Sequence, residues 1–127
     1  METRRPSELL DAPECRFLAR ALGEWGGPAR SGDAMAYALG FADAADLLAG
    51  CGRLAAELRA DLPLPPADWA RVLLAAEVVF ASDLVGSGTE WSTTTGWDDA
   101  ETLRRLRSVQ RKLGPVLRGQ YGGRPGG

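Results

Sequence analysis

Glu77, Asp83 and Glu90 are the acidic side chains whose setting in this sequence could support chemistry. Glu77 interrupts an apolar stretch from Trp69 to Leu84, Asp83 follows six residues later, and Glu90 stands in the polar run Gly86 to Trp97. Carboxylates gathered away from water can hold a divalent cation or divide acid and base roles between them. Six residues along a helix leave two side chains roughly 120° apart. Glu77 and Asp83 therefore converge only if the segment carrying Glu90 folds back to them. The plainer reading pairs Glu77 and Asp83 with arginines of the first or last helix.

Other chemistries lose their usual residues. The absence of histidine removes the commonest general base, the usual zinc ligand and every Ser-His or Cys-His nucleophile pair. Cys15 and Cys51 form no CxxC and fall on apolar helical stripes, as buried free thiols of a reducing compartment do. Neither GxGxxG nor GxxxxGK[ST] occurs. No catalytic set, metal centre or cofactor is expected beyond what the three carboxylates could form, so the balance leans away from an enzyme.

Recognition has better candidates. The run from Gly86 to Trp97 holds Trp91 and Trp97 among Gly, Ser and Thr, a longer and more aromatic connector than two helices need. Trp97 stands just before Asp98, where an apolar residue staples a helix start, while Trp91 reads as an interface anchor. Charge is also split. Residues 1–99 carry eight Arg against sixteen Asp plus Glu, whereas residues 100–127 carry six Arg and Lys112 against Glu101 alone. Arg104, Arg107 and Arg111 recur along one flank of the last helix. With Glu90, Trp91 and Trp97 they make the set of partner-binding candidates. The alternative is that the basic helix neutralises its own acidic body.

The elements that must position these residues are helical. At 127 residues the chain reads as one domain. A loose N-terminus is expected over 1–9, a helical domain over 10–113, and a flexible Gly/Pro/Arg tail over 114–127. Five helices are predicted. The first opens on the Asp11/Glu14 capping-box spacing and carries Cys15, Leu18, Leu22 and Trp25. A short second runs from Asp33 to Gly40. A third spans 43–60 with Leu47, Cys51, Leu54 and Leu58, and Gly50 and Gly52 within it suggest close approach of a neighbouring helix. The fourth follows Pro66, and the fifth opens at Asp98 with a Leu103, Leu106, Val109 and Leu113 stripe. Strand signals are nearly absent. The expected fold is all-α, a compact bundle of about five helices with a structured polar loop between the last two.

The segment Ala36-Tyr37-Ala38-Leu39-Gly40-Phe41-Ala42-Asp43 resembles the turn of helix-turn-helix segments in AraC-type transcription regulators. The resemblance covers eight of 127 residues and implies a DNA-reading helix from Ala44. That helix opens Ala44-Ala45-Asp46-Leu47-Leu48, with no side chain suited to base edges and an acid at its start.

No apolar run approaches bilayer length, and the charged N-terminus has no apolar stretch behind it, so the chain is read as cytoplasmic. The reading drawn from these residues is a small intracellular protein-interaction module, regulatory, adaptor or toxin-neutralising, whose partner is another protein. The alternatives are a nucleic-acid-binding protein using the basic last helix and tail, and a carboxylate-based metal-binding protein or enzyme.

Overall fold

The computed structural model describes residues 3–26, 32–81 and 99–121. They form α1 (Pro6–Leu9), α2 (Ala12–Gly23), α3 (Asp33–Ala38), α4 (Ala44–Arg59), α5 (Pro66–Ala81) and α6 (Asp99–Tyr121), with a 3₁₀ turn at Glu24–Gly26 after α2. The fold is all-α; among the described residues the sole extended pairing is a single bridge between Arg4 and Leu64. The helix beyond the expected five is α1, whose four residues are too few to show a period.

Local capping chemistry sets the helix starts. Glu14 N–H donates to Asp11 Oδ1 at 2.8 Å, and Asp11 N–H donates to Glu14 Oε1 at 2.9 Å, closing the expected capping box. Asp43 accepts the Asp46 amide at 2.8 Å and opens α4. The Leu39-Gly40-Phe41 turn ends α3 in a Schellman motif: Gly40 has φ 97°, Gly40 N–H donates to Tyr37 O and Phe41 N–H to Ala36 O. Phe41 then lies so close over Gly50 that a Cβ there would collide with its ring. At Gly50 the close neighbour is the ring of Phe41 from the preceding turn and not the expected helix, and Gly52 faces open space.

α2 packs on α4 and α5, and α5 also packs on α6. α5 therefore has neighbours on two sides, which explains why it is apolar around more than one face. Trp69, Val72, Ala75, Ala76 and Val79 are all buried along it. A polar cluster pins α5 at one end. Asp68 accepts from Arg71 at 2.8 Å and lies 3.5 Å from Arg53 of α4, while Arg71 Nε donates to Gly40 O at 2.9 Å.

Among the described residues, the segments near both termini differ from expectation. Arg4 N–H donates to Leu64 O at 3.0 Å, Leu64 N–H returns to Arg4 O at 2.9 Å, and Trp69 Nε1 donates to Arg4 O. Ser7 donates through its amide and hydroxyl to Asp61, at 2.8 and 2.7 Å. Residues 4–9 are thereby anchored, not loose. At the other end α6 continues through Gly114 and Pro115 to Tyr121, where a flexible tail from 114 was expected. Leu117 is 2% exposed and Val116 packs against the core. Proline withdraws the donor for Arg111 O, and burial of the following residues outweighs that loss. Cys51 is buried as expected, its thiol pushed up to about 12 by burial, but Cys15 is only half-buried.

Candidate interaction surface

The last helix sorts its side chains by direction. Thr102, Leu106, Val109, Leu113 and Leu117 are buried at helical spacing and form the face that meets the bundle. Beside that ridge, polar groups are paired. Gln110 Nε2 donates to Glu77 Oε2 at 2.6 Å, and Arg105 sits 3.1 Å from Glu101. Lys112 Nζ donates to both oxygens of Glu14, at 2.8 and 3.0 Å, and Ser108 Oγ donates to the same carboxylate.

Glu14 is 3% exposed. Burial raises its carboxyl, but Lys112, Ser108 and the Asp11 amide together overcome that and hold it below the ordinary carboxylate value. One side chain thus closes the α2 capping box and receives the single lysine of the chain. Its second role is invisible locally, because Ser108 and Lys112 lie on a helix that the sequence alone does not place against α2.

What remains on α6 is a cationic face. Arg104, Arg107, Arg111 and Arg118 are all exposed. At 100° per residue the four fall within an arc of roughly 60°, and from Arg104 to Arg118 they extend about 21 Å along the axis. Arg107 touches Gln110 at 3.5 Å. Among the described residues no carboxylate pairs with any of the four. Three of these arginines are the ones the sequence singles out. Arg118 joins them because the helix does not stop at Leu113.

The other candidates fare differently. Glu77 is half-buried and held by Gln110 of the last helix, an amide where the plainer reading has an arginine. Asp83, Glu90, Trp91 and Trp97 lie outside the described residues, as do the polar loop and the Asp98 cap. The suggested meeting of Glu77, Asp83 and Glu90 therefore has one described member. Among the described residues no group of three or more Cys, Asp or Glu side chains is placed to hold a metal ion. No helix among them is long and apolar enough to cross a membrane.

Comparison with protein-family models, with curated proteins and with solved structures gives no match to this chain.

Proposed function

We propose that this chain is a non-enzymatic protein-interaction module that holds an acidic surface of a partner protein against the arginine face of α6. The observation that supports it is the contrast within one helix. Arg105 and Lys112 are spent on internal carboxylates, whereas Arg104, Arg107, Arg111 and Arg118 share one exposed face with no carboxylate of the described residues upon them. Guanidinium groups in such a row can grip carboxylates through paired N–H···O bonds. The acidic excess of residues 1–99 speaks for a protein whose acidic groups are confined to one patch over a duplex, whose phosphates run on past the arginine face and would meet that excess. Regulatory, adaptor and toxin-neutralising roles all fit such a surface.

The test uses the full chain and a triple Arg104→Gln, Arg107→Gln, Arg111→Gln variant. All three residues are exposed, so circular dichroism should match the parent. Binding is measured to a helical peptide with Glu at matching three- and seven-residue spacing, and to a short DNA duplex. The expected result is peptide binding that weakens with salt and is lost in the variant. Duplex binding alone would turn the proposal into the nucleic-acid reading, and binding to neither would remove it.

A further inference from the structure

A second feature lies away from α6. α1, the start of α2 and the end of α4 line an open pocket of about 450 Å³. That volume is in the range of small-molecule sites. Its walls are mainly apolar, built by Leu10, Ala12, Cys15 and Leu58. Leu10 and Leu58 are buried core residues that turn part of their surface toward this space. Burial, and then the carboxylates of Asp61, Asp11 and Glu14, push the Cys15 thiol up, so it serves as wall and not as nucleophile.

Two cations complete the lining, Arg16 from α2 and Arg59 from the last turn of α4. Both are exposed, and among the described residues neither has a carboxylate partner. The one acid in the lining is Asp61, already engaged by Ser7 through two hydrogen bonds. An apolar recess with two unpaired guanidiniums favours an apolar body with an anionic head. Asp61 sets the size of that charge: two arginines and one carboxylate leave the lining with a net charge of +1, which a monoanion neutralises, whereas a dianion would leave one charge uncompensated beside apolar walls.

We propose that this pocket binds a small amphiphilic carboxylate, with an alkyl or arylalkyl body against Leu10, Ala12, Cys15 and Leu58 and its single carboxylate between Arg16 and Arg59. This site is independent of the arginine face of α6.

Octanoate is the probe, titrated into the full chain by NMR, with 1-octanol and octyl phosphate as comparisons. Saturable octanoate binding is expected, with shifts at Leu10 and Leu58 and slower labelling of Cys15 by a thiol reagent. A double Arg16→Gln, Arg59→Gln variant should bind at least about tenfold more weakly, as loss of charge-assisted contacts implies. Ala12→Trp, at an exposed helical position, should fill the recess and abolish binding with the helical spectrum intact. Equal binding of octanol, tighter binding of octyl phosphate, an unaffected double variant or absence of saturable octanoate binding would each overturn the proposal.

Discussion

Lys112 Nζ lies 2.8 Å from Glu14 Oε1, a contact between residues 98 positions apart that seats α6 on α2. Glu14 is nearly inaccessible at its carboxylate while the lysine keeps 42% of its side chain in solvent. A cation that stays partly hydrated loses little on approach, and the buried anion gains the donors it would otherwise lack. The pair therefore acts as an anchor for the helix that presents the arginine face.

Removing the cation should be measurable. Lys112→Met is expected to destabilise the fold by about 1–2 kcal/mol, the range for an acceptor that keeps some of its donors. The partial exposure of the lysine keeps the value near the lower end. Chemical denaturation of the parent, Lys112→Met and the Lys112→Met, Glu14→Gln double variant reads the effect. The double variant should recover part of the loss, and an unchanged midpoint in the single variant would mean the contact contributes nothing.

The same carboxylate predicts a pH dependence. Its folded value is held below the ordinary 4.5, so its contribution is fully present above about pH 4.5. That contribution is lost as pH falls through the lower folded value, because the native state must then accept a proton it resists. Stability measured from about pH 6 down to pH 3 should fall less steeply in Glu14→Gln than in the parent. Parallel acid limbs would contradict the assignment.

The end of α6 carries core packing, so Leu117→Ala should cost about 2–3 kcal/mol, the lower part of the range for a buried leucine because the site lies in the last turns of α6. Truncation after Gly114 should cost at least as much, since Val116 is lost with it. A melting temperature unchanged by truncation would restore the expectation of a dispensable tail.

These outcomes track what was legible in the sequence. The Asp11/Glu14 box was readable because capping is a three-residue matter, and α2, α4 and α5 because their apolar periods are long. Four-residue α1 has no period, and its anchors, Leu64 and Asp61, are distant in sequence. Gly114-Pro115 reads as a helix end on propensity, and only the packing of Leu117 reverses that. The arginine face was legible from the three- and four-residue spacings of Arg104, Arg107 and Arg111. The Lys112–Glu14 and Gln110–Glu77 contacts were not, because they depend on which helices become neighbours. Glu90, Trp91 and Trp97 stand as sequence expectations outside the described residues.

The two glycines of α4 should respond in opposite directions to the same substitution. Both lie inside a regular helix, where alanine is favoured over glycine by about 0.5–1 kcal/mol. At Gly52 nothing lies near the position a Cβ would take. Gly52→Ala should therefore stabilise the fold by about that amount. At Gly50 the new methyl would run into Cε1 and Cδ1 of Phe41, a ring 6% exposed and packed in the core. Overpacking of this kind costs about 1–3 kcal/mol, more than the propensity gain, so Gly50→Ala should be net destabilising. Phe41→Leu in the Gly50→Ala background should relieve the clash and cost less than Phe41→Leu does alone. Denaturation midpoints of the two single variants and this cycle check the argument, and a stabilising Gly50→Ala would show that the Phe41 turn can move aside.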